Sequence, residues 1–244
     1  MRQDQIVEVR PAHLDDAADI AKVHVASWQA GYRGLVPQDY LDSLDLGAWT
    51  ERRVLRLGQI DWSRGACYVV AGHNDELAGF TDVGPTRDDD SDSAIVGEIR
   101  AIYLAPDAWG KGLGRALMTA GLAQLASCGY REATLWVLES NDRARRFYTA
   151  SGFEPDGATK LDNSRGFPLH EVRYRRPLDE ELANRLLRSA NRLRRTGRER
   201  TVCREMAASV ASAVWTGPSL LPRRTRSCPS FSPEPTSSSR PGQA

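Results

Sequence analysis

The stretch that most restricts how this chain folds lies between residues 95 and 129. An apolar run, IVGEIRAIYLAP, reads as a long strand that ends at a proline. Three glycines at alternate positions follow in DAWGKGLGRALM, residues 107–118, with Lys111 between the first two. The chain then continues as LGRALMTAGLAQLASCG, residues 113–129, a helical pattern that is apolar nearly all round. Its polar stripe is thin: Lys111, Arg115, Thr119, Gln124 and Ser127. Such a helix lies mostly buried against a sheet. On its own, GKGLG is also what a plain turn requires. Placed after a strand and before a helix, it has a stronger meaning. The first N–H groups of a helix are unpaired and carry the positive end of its dipole, and glycines let a ligand approach that backbone. Lys111 and Arg115 add charge on the same side, so the loop is built to hold a phosphate or pyrophosphate.

The neighbouring segments complete a sheet. IVEVRPA (6–12) reads as a first strand and HLDDAADIAKVHVASWQAGY (13–32) as a helix, with Ile20, Val23 and Ala26/Ser27 at helical spacing. VPQDYLDSL and GAWTERRVLRLG suggest further short helices. ACYVVAGH (66–73) and ELAGFTDVG (76–84) form a hairpin turning at Asn74-Asp75, and RDDDSDS (87–93) is an acidic loop. EATLWVL (132–138) is a strand, and NDRARRFYTASG (141–152) is a short helix capped by Asn141 and ended by Gly152. LHEVRYRRPL (169–178) closes the pattern as a last strand. Antiparallel strands come early and a βαβ unit late, which makes this an α/β (α+β) mixed sheet rather than a doubly wound parallel one.

The chain divides by composition. Residues 179–244 carry 12 Arg against 6 acids, whereas residues 1–178 carry 21 basic against 26 acidic side chains. Residues 1–178 read as one domain, 179–196 as a helical extension, and 197–244 as a basic, Pro/Ser-rich disordered tail. No run approaches the ~18 apolar residues of a membrane span, and MRQDQIVEVR has no signal-peptide core. Cys67, Cys128, Cys203 and Cys228 form no CxxC pair, so no zinc ribbon is indicated and a cytoplasmic location with reduced thiols is expected. No metal-ligand cluster stands out. The Arg-rich C-terminus offers salt-sensitive affinity for nucleic acid, but without aromatic interleaving a solvated extension is the better reading.

The glycine loop fits neither a Walker loop, which needs GK[ST], nor a dinucleotide fingerprint, which needs GxGxxG. It resembles motif A of the GNAT superfamily of N-acetyltransferases, [Q/R]-x-x-G-x-[G/A], on Trp109, Gly110, Lys111, Gly112, Leu113 and Gly114. Trp109 departs from the Gln or Arg of the pattern. RPAHLDDAADIAKVHVASWQAGYRGLVPQDYL and LWVLESNDRARRFYTASGF resemble the segments that flank motif A in this superfamily, and the resemblance spans about residues 6–178.

The resemblance implies acetyl-CoA as donor and a primary amine, of a small molecule or a peptide, as acceptor. It implies that the amides of Gly110 to Gly114 bind the pyrophosphate, with Arg115 nearby. It also implies that backbone groups of Ile102, Tyr103 and Leu104 pair with the pantetheine arm, and that Asn141 touches the cofactor or simply caps its helix. Amide formation needs a neutral amine and a proton donor. Glu98, mid-strand among apolar neighbours, is the candidate base, against a salt-bridged glutamate paired with Arg100; Tyr148 is the candidate acid. His13, His24, His73 and His170 sit in early elements or the last strand and do not compete. Trp28, Tyr32 and Tyr40 are candidates to line the acceptor site, though packing is their commoner use; Asp88–Asp92 could attract a cationic amine, but a merely solvated acidic run is the favoured reading. The alternative function is a non-catalytic acyl-CoA sensor on the same fold. The sequence is compatible with a homodimer.

Overall fold

A computed structural model describes residues 7–72 and 76–178, together with Asn184, Arg185 and Arg188, which are helical and exposed. The Asn74-Asp75 turn, the rest of the 179–196 helix and the tail from residue 197 lie outside the described residues.

Seven strands form one sheet: β1 (Val9–Pro11), β2 (Ala66–Ala71), β3 (Leu77–Pro85), β4 (Val96–Leu104), β5 (Glu132–Leu138), β6 (Glu154–Asp162) and β7 (Leu169–Pro177). Five α-helices accompany them: α1 (Ala17–Gly31), α2 (Gln38–Asp42), α3 (Leu46–Gly58), α4 (Leu113–Ser127) and α5 (Asp142–Ala150). The strand order is β1-β2-β3-β4-β5-β7-β6, with only β4 and β5 running parallel. This is the mixed sheet expected from the pattern.

Side chains alternate across the pleat and build a core on each face. Ala66, Tyr68 and Val70 point to the face covered by α4. Cys67 and Val69, with Phe80, point to the face covered by α1 and α3. Leu117, Leu122 and Leu125 of α4 are buried almost completely, each worth about 1.5–3 kcal/mol. Caps set the helix ends: Asp45 accepts from Ala48 N at 2.6 Å and Asn141 from Ala144 N at 3.0 Å.

One strand escaped the sequence reading. β6 is an edge strand, exposed over nearly its whole length, and EPDGATKLD carries Pro155, Gly157 and no apolar alternation. Edge strands dispense with that alternation because neither face needs burial, and Pro and charges protect the edge. Its register with β7 breaks between Pro155 and Thr159.

Two irregularities open the sheet. β4 pairs with β5 only from Val96 to Glu98, then continues to Leu104 along β3 alone, while β5 continues along β7. A bulge at Arg100, opposite Asp82 and Val83, bends β4 where the two strands part.

Candidate active site

The parting of β4 and β5 makes a cleft of about 1240 Å³ that crosses the sheet. Its mouth is the glycine loop. Gly110 and Gly112 sit at φ +76° and +85°, left-handed backbone that most side chains avoid, and Gly112 caps α4. A Cβ at Gly114 would lie 3.2 Å from Leu104 Cδ1, so that position is glycine for close packing. Among the described residues, no protein group accepts from the amides of residues 110–114. These donors sit at the positive end of α4. Gly110, Gly112, Gly114 and Arg115 line the cleft; the Leu113 side chain is in the core, and Lys111 is exposed outside it.

The open edge of β4 differs from expectation at one residue. Ala105 N donates to Ala78 O at 2.8 Å, which fixes the antiparallel alternation with β3. Tyr103 therefore directs its backbone groups at Phe80, so it cannot pair with an inserted arm; Ile102 and Leu104 direct theirs into the gap. Even there, the Leu104 carbonyl already accepts from Trp109 Nε1 at 3.0 Å. Arg143 lies over the Trp109 ring, its guanidinium carbon 3.6 Å from the centroid. Arg143 was not among the sequence candidates. A basic residue in the first turn of a helix opposes the helix dipole, and that is the signal for it.

The middle of the cleft is aromatic. Tyr148, half-buried on α5, packs with Phe147 and Phe153, and burial pushes its phenol above the usual range. Trp28 and Tyr32 stack with centroids 4.4 Å apart, and both line the cleft; burial, and then Tyr103 and Tyr148, push the Tyr32 phenol well up. Tyr40 instead packs edge-on against Phe167, 5.0 Å away, behind Trp28. Asn141 lines the cleft and makes its cap at once.

His24, set aside in the sequence, lies in the same cleft on α1. It is buried, stacked 4.5 Å from Tyr103 and tilted against Trp49 at 4.1 Å, and its Nδ1 lies 2.8 Å from Arg53 Nη2. Burial, and then the charges of Arg53 and Arg165, push its imidazole down to about 2. Helical spacing alone put it on the face that carries Ile20, Ser27 and Trp28.

Glu98 is buried at 2% exposure and lines the cleft. Its main partner is Arg87, which forks onto both oxygens at 2.6 and 2.9 Å; Arg100 Nε stands off at 3.9 Å. Asp88 and Asp90 of the acidic loop are neutralised rather than open to a cation. Asp88 accepts from Trp136 Nε1 at 2.9 Å, and Arg173, buried on β7, forks onto Asp90 at 2.6 and 2.8 Å and reaches Asp88 and Asp156. Sequence alone could not pair residues so far apart.

Among the described residues, no group of three or more His, Cys, Asp or Glu is placed to hold a metal ion, and no helix is long and apolar enough to cross a membrane.

Residues 30–153 match the model of the Acetyltransferase (GNAT) family. An uncharacterized N-acetyltransferase, YuaI, of Bacillus subtilis is 35% identical over 136 residues, 56% of this chain and 74% of that protein. A mycothiol acetyltransferase of Geodermatophilus obscurus is 40% identical over 110 residues, 44% of this chain, which spans only 35% of that relative. The PaiA N-acetyltransferase of Thermoplasma acidophilum, solved with coenzyme A, shares the fold with a TM-score of 0.57 at 19% identity, over 70% of this chain and 99% of that one. A phosphinothricin acetyltransferase of Sinorhizobium meliloti, solved with AcCoA, gives 0.58 at 21% identity, over 72% and 90%. Half of the chain matches the family model, and three quarters of the Bacillus protein is covered at that identity; the chain belongs to the GNAT family of acetyltransferases.

Proposed function

We propose that this enzyme uses acetyl-CoA to acetylate a primary amine of a small molecule or peptide. The observation that carries the reading is the run of unpaired amides at residues 110–114, at the mouth of a gap between two diverging strands. A pyrophosphate fits those amides, with Arg115 and Arg143 beside them. An extended amide-bearing arm fits the open edge at Ile102 and the Leu104 N–H. The donor brings an activated acetyl thioester; the chain supplies position and proton handling. Holding two reactants in one cleft is itself a large share of such a rate. Tyr148 keeps its phenolic proton at neutral pH and serves as donor at Oη. Glu98, on β4 below the gap, serves as base, taking the proton of the incoming amine through water while Arg87 holds both its oxygens.

We take residues 1–178 as the catalytic unit; in support, Leu178 is buried and its amide donates to Arg131 O at 2.7 Å, so the core extends to that residue. Among the described residues Cys67 and Cys128 are free thiols, which supports a cytoplasmic setting.

The test is release of the coenzyme thiol across a panel of amines, in wild type and Tyr148→Phe. Loss of a donor is expected to lower kcat about 10²-fold with acetyl-CoA affinity retained. Unchanged kcat would remove Tyr148 from the chemistry. Binding of acetyl-CoA without turnover of any amine would favour a sensor on this fold.

A further inference from the structure

The acceptor half of the cleft is a wall of donors whose acids are already used. Ten Lys and Arg side chains line the whole cleft against four Asp and Glu. Each of the four acids has a cation: Asp82 is held by Arg56 at 2.6 Å, Glu98 by Arg87 at 2.6 Å, Asp162 by Arg165 at 2.7 Å and Glu171 by Lys160 at 3.2 Å. Arg173 takes up Asp88 and Asp90 of the acidic loop.

Besides the loop amides and Arg100 Nε near Glu98, donors are left over around His24. Trp28 Nε1 is buried, in a ring 4% exposed, with no hydrogen-bond partner. That nitrogen is closed off from the open cleft, so it adds no docking point there; the donors that count are its neighbours. Arg53 is a permanent donor, so His24 Nδ1 accepts from it and the ring proton is on Nε2. Arg52, exposed on α3, lies with its guanidinium carbon 5.2 Å from the Trp49 centroid and has no carboxylate partner among the described residues. Trp28 and Trp49 flank the His24 ring at 6.1 and 4.1 Å.

Resting on the acetyl-transfer reading above, we infer that the acceptor is a zwitterionic amine: its amine enters the gap while a carboxylate on the same molecule docks on His24 Nε2 and Arg52. A planar oxyanion takes several N–H donors at once, and Arg is suited to it. A purely cationic polyamine finds no unpaired carboxylate on this wall and faces an excess of positive charge.

The test uses matched pairs that differ by the carboxylate alone: phenylalanine with phenethylamine, lysine with cadaverine, and glycylphenylalanine with its C-terminal amide. Turnover is measured with saturating acetyl-CoA, and binding of each member to the acetyl-CoA-loaded protein by calorimetry. The carboxylate member is expected to win by at least about tenfold in kcat/KM, or in affinity where there is no turnover. In Arg52→Met its KM is expected to rise about tenfold, closing the gap between the pair, while the melting temperature stays put. Equal or better use of the plain amine overturns the inference, as does failure of the loaded protein to bind any member. A separate titration with acetyl-CoA alone distinguishes the two levels: no acetyl-CoA binding sinks the transferase reading itself, whereas acetyl-CoA binding without carboxylate preference sinks only this inference.

Discussion

The indole of Trp109 is held from two sides: its N–H donates to the Leu104 carbonyl at 3.0 Å, and Arg143 lies 3.6 Å over its ring. The residue that departs from the family pattern is therefore a shelf that ties the glycine loop to β4 and fixes a cation at the cleft mouth.

If that shelf positions Arg143 for the anionic cofactor, the two residues act as a unit. A cation–π contact of this kind is worth about 0.5–2 kcal/mol. Trp109→Ala and Arg143→Gln should each weaken acetyl-CoA binding about tenfold, and the double variant should lose little more than either alone. Trp109→Phe, which keeps a ring, should lose less. Calorimetric titration of the four proteins checks this; additive losses would mean that the two residues act separately.

Glu98 and Arg87 form an unequal pair, with side chains 3% and 63% exposed. Removing the outer partner strands a buried carboxylate; removing the inner one frees an arginine that can turn to water. Arg87→Gln should therefore cost more stability than Glu98→Gln, by about 1–3 kcal/mol. Activity should show the reverse order, with Glu98→Gln lowering kcat about 10²-fold. Thermal unfolding and kcat on the same preparations decide it.

His24 gives the fold an acid limit. Its folded value, about 2, lies below the ordinary 6.5, so below about pH 6.5 the unfolded chain binds a proton that the folded one refuses. Stability from this group is whole above pH 6.5 and declines as pH falls, by up to about 1.4 kcal/mol per unit. The melting temperature of wild type should fall more steeply from pH 7 to 4 than that of His24→Gln. Parallel curves would show that His24 takes up its proton while folded.

The sequence made the centre of this fold legible because its signals there are local. The strand–glycine–helix run set β4, the loop and α4 nearly to the residue, and Asn141 and Gly152 bracketed α5. β6 was not legible, since an exposed edge strand carries no burial pattern. In the site, Glu98, Tyr148, Trp28 and Tyr32 do line one cleft. Tyr103 was assigned a backbone role that the pairing phase of β3 denies it, and phase is set by a partner strand, not by β4 itself. Arg87 and Arg173 went unnoticed because their partners lie on other elements, and composition says only that arginine is common; Arg143 carried only the local signal of a basic residue in a helix's first turn.

The central claim is that the start of α4 binds the pyrophosphate of acetyl-CoA, and a charge change at constant shape tests it most directly. Asn and Asp both tolerate the left-handed backbone of Gly112 better than other side chains, and both cap helices well. Calorimetric titration with acetyl-CoA should show micromolar binding by wild type, and Gly112→Asp should bind at least about tenfold more weakly than Gly112→Asn. Equal affinities in the two variants, or no binding by folded wild type, would contradict the account.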